Sequence, residues 1–203
     1  MRFSVITILV VFLTSCNYDD NDIKYSYEST PIYTKGYADY FGKYFANRGN
    51  YNEVISLNLL TDELMVNSSG QLTGVGQYLY IEDIFLPDGT TYLAEGDYIA
   101  SKSEEAFTFL PGEKFKVDDF SINTGAYLYY KEKNSNYSTF KFITRGTMHV
   151  SIAAGLHTIS CDLVLSDSSH VKGSFTAELP HLNSSGDQNS IRQKISISTQ
   201  QNY

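Results

Sequence analysis

Four histidines, two acidic doublets and two cysteines are the groups in this 203-residue chain best suited to chemistry. His149, His157, His170 and His181 would make a metal site if three of them converged on one ion at about 2.1 Å. In RGTMHVSIAAGLHTISCDLVLSD, Met148, Val150 and Ile152 alternate with polar residues before a tight turn at 153–155, and Ile159, Cys161, Leu163 and Leu165 alternate after it. If Met148 and Val150 share a core face with Ile159 and Cys161, His157 lies on that face and His149 on the other. No metal site and no cofactor is expected. Asp118–Asp119 and Glu104–Glu105 are candidates for the carboxylate pair of glycoside hydrolysis, which needs two groups roughly 5 to 10 Å apart across a cleft. Neighbours in a strand point to opposite faces, so neither doublet is itself a dyad, and both read as solvated loop charges. There is no G-x-S-x-G elbow, H-E-x-x-H helix or Gly-rich phosphate loop, and GVGQYL lacks the strand-turn-helix setting of the last. No catalytic residue is assigned, and the chain is expected to be non-enzymatic.

The aromatic residues offer more. Seventeen Tyr, twelve Phe, fourteen Gly, four Pro and no Trp describe a β-rich chain, because aromatic and β-branched side chains fit a pleated surface. In GQYLYIE, Leu79 and Ile81 fall on one face and Tyr78 and Tyr80 on the other. In GAYLYYKE, 49 residues further on, Tyr127 and Tyr129 lie opposite Leu128. Were these strands neighbours, Tyr78, Tyr80, Tyr127 and Tyr129 would form an outward platform for a sugar or a protein. The alternative is a sheet covered on both faces. Further strands are expected near 52–60, 96–101, 114–120, 125–132 and 138–145, with VKGSFTAEL and a closing strand at 191–197 after a loop, NSSGDQN, at 183–189. YADYFGKYFANRGN fits a helical stripe as well as a strand, and its glycines favour the strand. The expectation is an all-β fold: one antiparallel β-sandwich or barrel-like domain of about nine or ten strands.

At the amino terminus, Arg2 precedes an apolar run from Val5 to Leu13, too short for the roughly 20 residues that span a bilayer and followed by small residues, which is a signal peptide in outline. Leu13-Thr14-Ser15-Cys16 resembles the lipobox of bacterial lipoproteins. That resemblance implies cleavage before Cys16, diacylglycerol on its thiol and attached fatty acid such as palmitate. Several acyl chains hold where one alone is marginal. NYDDND, with Asp19, Asp20 and Asp22, is similar to the acidic tag that sends Bacteroidetes-type lipoproteins to the outer face of the outer membrane. The organisation expected is a leader at 1–15, an acylated flexible tether at 16–32 and the β-domain at 33–203.

Without the leader the chain keeps 14 basic and 23 acidic residues, a formal charge of −9. Nucleic acid is disfavoured as a partner, since phosphate binding needs clustered Lys and Arg. With Cys16 acylated, Cys161 has no intrachain partner and reads as a small buried hydrophobe. The order YADYFGKYFANRGNYNEVISLNL, LAEGDYIAS, GAYLYYKE, ITRGTMHVSI, GLHTISCDLVLSD and HVKGSFTAELP resembles the β-rich module of uncharacterised Bacteroidetes surface lipoproteins, over roughly 33–179. That resemblance carries no catalytic residues. The expected work is binding of glycan or protein at the cell surface; the alternatives are a structural or adhesive subunit, or a hydrolase.

Overall fold

The computed structural model describes residues 27–117, 120–132 and 138–185. Cys16, the acidic tract after it, Asp118–Asp119 and the closing strand expected at 191–197 lie outside them. Among the described residues there is no α-helix, and no helix long and apolar enough to cross a membrane.

The chain is all-β and barrel-like. After β1 (Ile32–Tyr33) and β2 (Lys35–Gly42), a short 3-10 turn (Ala46–Arg48) leads to β3 (Val54–Leu60). A small hairpin, β4 (Leu64–Val66) with β5 (Leu72–Gly74), precedes β6 (Gly76–Phe85). Next come β7 (Gly96–Ala100), β8 (Thr108–Phe109) and a second hairpin, β9 (Glu113–Val117) with β10 (Phe120–Thr124). β11 (Tyr127–Lys131), β12 (Ser138–Ala153), β13 (Leu156–Leu165), β14 (His170–Val171), β15 (Ser174–Ala177) and β16 (His181–Asn183) complete the order. Most of the longer strands fall where alternation puts them, but β10 occupies Phe120–Thr124, between two expected strands. Six others, β1, β4, β5, β8, β14 and β16, have two or three residues, too short for a period of two to register. Asn183, expected to begin a loop, instead ends β16, and YADYFG lies within strand β2.

The pairings β6–β11–β12–β7–β8–β6 close a small ring. From β6 the sheet continues through β3, β2 and β16, and from β12 through β13, β15 and β1. β1–β15, β7–β8 and β2–β16 are parallel; every other pairing is antiparallel. β12 serves both halves, pairing with β11 and then β7 along one edge and with β13 along the other. The turn between β12 and β13 is Ala154-Gly155, both at positive φ (51° and 82°), which matches the right-handed twist of the strands it joins.

The main core fills the concave side with Leu57, Leu79, Ile81, Leu128, Ile143, Met148, Ile159, Leu163 and Phe175 among others. β13 alternates buried and exposed residues along almost its whole length, so its outer face is wet. β3 is buried at every position and β6 at every position but Gly76, so the centre of the sheet is covered on both faces. The body also begins earlier than expected. Within the tether predicted for 16–32, Lys172 N–H donates to Ser29 O at 2.7 Å, Ser174 N–H to Pro31 O at 3.0 Å, and Glu28 N–H to Gln77 Oε1 at 3.0 Å.

Candidate functional site

β6 and β11 are neighbours, with Tyr80 opposite Tyr127 and Tyr78 opposite Tyr129, so the similar strings GQYLYIE and GAYLYYKE pair across the sheet. The outward platform is not there. Tyr78 is 0% exposed, and Tyr80, Tyr127 and Tyr129 are 4–5% exposed. Leu60 and Leu64, with Leu72, Phe140 and Phe142 packed alongside, cover these rings and make a second core. Tyr127 lies 5.1 Å from Tyr80 and 4.8 Å from Phe140 by ring centroids, and Tyr78 Oη donates to Asn58 Oδ1 at 2.6 Å. Rings so enclosed have no face left for a ligand. The physical reason is the small β4–β5 hairpin and the aromatic flank of β12, which put an apolar layer where water was expected.

The same face of β6 carries a different feature one step along. β3 and β6 pair Leu57 with Ile81 and Ile55 with Ile84, so Ser56 alone stands opposite Glu82 and Asp83. This is a β-bulge, and it cancels the alternation that would otherwise send adjacent carboxylates to opposite faces. Ile81 and Ile84 both stay in the main core, which turns Glu82 and Asp83 together to the other face, between Tyr80 and Phe85. They are only 5% and 6% exposed.

Both line a cleft of about 440 Å³, walled by Tyr44, Phe45 and Phe115 and rimmed by Arg48, Lys102, Glu104 and Glu113. Each wall has a cause in the chain. The 3-10 turn after β2 presents Tyr44 and Phe45, with Phe45 5.8 Å from Phe85. Hairpin β9–β10 contributes Phe115 and Thr124. Gly125 closes the floor, where its N–H donates to Glu82 Oε2 at 2.7 Å. Its φ is 74°, and a Cβ there would meet Pro111 O at 2.2 Å, so the approach to Glu82 requires glycine. The Tyr127 phenol is held protonated well above its usual range, first by burial and then by the negative charge of Glu82.

At the rim, Arg48 pairs with Glu104 at 3.3 Å while its guanidinium lies 4.0 Å over the Phe45 ring. Asn50 Nδ2 also donates to Glu104 Oε2, and Lys102 meets Glu113 at 2.5 Å. Such exposed pairs contribute little to stability, at most about 1 kcal/mol each, but they hold donors and acceptors at the mouth. The arrangement offers buried acceptors at the base, aromatic faces at the sides and charged donors at the lip. Sequence reasoning did not single out Glu82, Asp83, Tyr44, Phe45 or Arg48. The available signal was the acidic pair in YLYIEDIF, a charge doublet inside an otherwise buried apolar strand, where a carboxylate is costly without compensation.

The remaining candidates disperse. Glu104 joins the rim, and Glu105 is exposed with its backbone carbonyl accepting from Thr108. His149 is exposed and meets Asp97 at 2.6 Å, whereas His157 is on the buried face, as the alternation of β13 requires. His170 lies 3.6 Å from Asp162. Among the described residues no three of His, Cys, Asp and Glu gather as metal ligands. Cys161 is buried, which pushes its thiol up to about 12 and keeps it protonated. Set against family models, curated proteins and solved structures, the chain matches none.

Proposed function

We propose that this chain is a lipid-anchored surface receptor that binds a saccharide in the cleft at the β6 bulge without turning it over. The observation that carries the reading is the pair Glu82 and Asp83, directed to one face at the base of an aromatic-walled cleft. Carboxylates that cost free energy to bury are placed where hydroxyl donors can reach them. The rings of Tyr44 and Phe115 supply apolar faces for the C–H side of a sugar ring, Phe45 seats the Arg48 guanidinium on its ring, and Arg48 and Lys102 supply donors at the lip. A cleft of this size suits a short saccharide. Membrane placement rests on the LTSC motif: the acyl groups on Cys16 hold the protein at the outer membrane, the acidic tract spaces the body from the anionic surface, and the body faces outward.

A glycan array probed with the full chain tests the binding, followed by calorimetry on Glu82→Gln and Phe45→Ala. Retention of a saccharide that each variant weakens at least tenfold is expected. An array with no retained glycan, or binding that both variants leave unchanged, overturns the proposal, and release of free sugar would assign hydrolysis instead. Mass spectrometry of Cys16 tests the anchor, where an attached leader or bare sulfur would refute it, and protease shaving of intact cells tests outward display.

A further inference from the structure

His157 and His181 come from different ends of the fold and meet. His157 is near the start of β13, paired with Ile152 of β12 and Ala177 of β15, and His181 opens β16 opposite Ala38 of β2. Their ring centroids are 5.6 Å apart at an interplanar angle of 48°. His157 is 8% exposed, and neither of its ring nitrogens has a hydrogen-bond partner. Leu93 N–H donates to His181 Nε2 at 3.1 Å, and Tyr92 beside it meets the His181 ring edge-on at 6.4 Å. A nitrogen that accepts a backbone N–H must present its lone pair, so this bond exists in one protonation state only. Protonated, Nε2 would point a hydrogen at the Leu93 hydrogen.

We propose that His157 and His181 form an acid-operated latch: neutral, they tie the segment 86–95 to β16 through Leu93, and protonated they separate and release that segment.

The surroundings compensate a positive charge only in part: the backbone of Leu93 favours protonation of His157 and that of Leu179 favours protonation of His181, but burial outweighs both. Tyr92 meets only the His181 ring, edge-on. Asp39 follows Ala38 on β2 but turns to the other face, toward Ser56 Oγ at 3.5 Å. Glu178 follows Ala177 and is exposed on the opposite side. Glu95, on the latched segment, commits Oε1 to the Ile152 N–H at 2.8 Å. Burial lowers the pKa of both histidines, and the charge of His157 lowers that of His181 further. The fold therefore keeps both rings neutral at a pH where unfolded histidines, near 6.5, take up protons. The latch is fully closed above about 6.5 and weakens as pH falls, by up to tenfold per pH unit for each ring.

Amide exchange of the ¹⁵N-labelled full chain in detergent micelles tests this. Protection of the Leu93 amide should fall about tenfold per pH unit from roughly 6.5 to 5, while the Met148 and Cys161 amides on β12 and β13 stay protected. His181→Gln, whose side-chain oxygen accepts the same bond but does not titrate, should leave Leu93 better protected at about pH 5 than in the wild type, with only the shallower loss that His157 alone supplies. His157→Leu removes the repelling ring and leaves the Leu93 bond, so it should shift the loss to lower pH, and it decides the matter alone if the glutamine variant does not fold. Flat Leu93 protection in the wild type, loss at the same pH in His157→Leu, or simultaneous loss at Met148 would overturn the latch.

Discussion

Tyr78 separates a covered sheet from an open one in a single measurement. Its ring is 0% exposed and packs 6.0 Å from both Tyr80 and Tyr127, and its hydroxyl donates to Asn58 Oδ1 at 2.6 Å. Asn58 is itself 2% exposed and its Nδ2 has no partner. Tyr78→Phe keeps the ring and deletes that hydrogen bond, stranding a buried acceptor at a cost of about 1–3 kcal/mol. Tyr78→Ala removes the ring as well, and cavity formation raises the loss to about 3–5 kcal/mol. Against a typical total of about 5–15 kcal/mol, the alanine variant should be barely folded and the phenylalanine variant clearly weakened. Urea unfolding followed by far-ultraviolet circular dichroism reads both as a shift in midpoint at constant slope. If Tyr78→Phe lay within about 0.5 kcal/mol of the wild type, the hydroxyl would behave as a surface group, and the second core would be refuted.

Gly125→Ala should cost at least about 2 kcal/mol, from its left-handed backbone and the overlap with Pro111 O; an unchanged melting temperature would show that the Glu82 floor is not built as described. Ala154→Asn should raise stability by about 0.5–1 kcal/mol, since Ala154 sits at φ 51° in a two-residue turn that prefers Asn-Gly, and a lowered melting temperature would contradict that turn. The Cys161 thiol should stay silent to a thiol reagent at neutral pH until denaturant is added, because burial holds it up to about 12; rapid labelling of the native protein would refute its burial. Burial also holds Tyr37 and Tyr40 up to about 12, and Tyr33, Tyr78, Tyr98 and Tyr127 higher. Unfolded tyrosines ionise near 10, so stability is complete below that and is lost as pH rises through and beyond it; phenolate absorbance appearing for all tyrosines near 10 in the folded protein would oppose this.

Alternation made the β12–β13 hairpin legible down to its register: Met148 faces Cys161 and Val150 faces Ile159, because one face is wet and the other dry. The same rule put Tyr78 and Tyr80 opposite Leu79 and Ile81, but it could say only that the faces differ. What covers the second face is a distant matter, settled by Leu64 on a three-residue strand and by Phe140 and Phe142. The cleft was hidden for a related reason. Its base depends on an irregularity between β3 and β6, and its walls come from segments near 45, 103, 115 and 125 that only the closed ring brings together. His157 and His181 were both noticed as histidines, yet their meeting depends on β16 joining β2 in parallel at the far side of the sheet, a long-range pairing that no local pattern reports.

The acidic doublet has a consequence in terms of counting. β6 carries one more residue than β3 between two fixed rungs of the ladder, and that surplus is the reason two carboxylates share a side. Loss of a single codon there would let the rungs close up with the same partners on either side, leaving one acid where there are two. The charge at the base of the cleft is thus adjustable by insertion or deletion as well as by substitution, a route open to lineages whose framework stays the same.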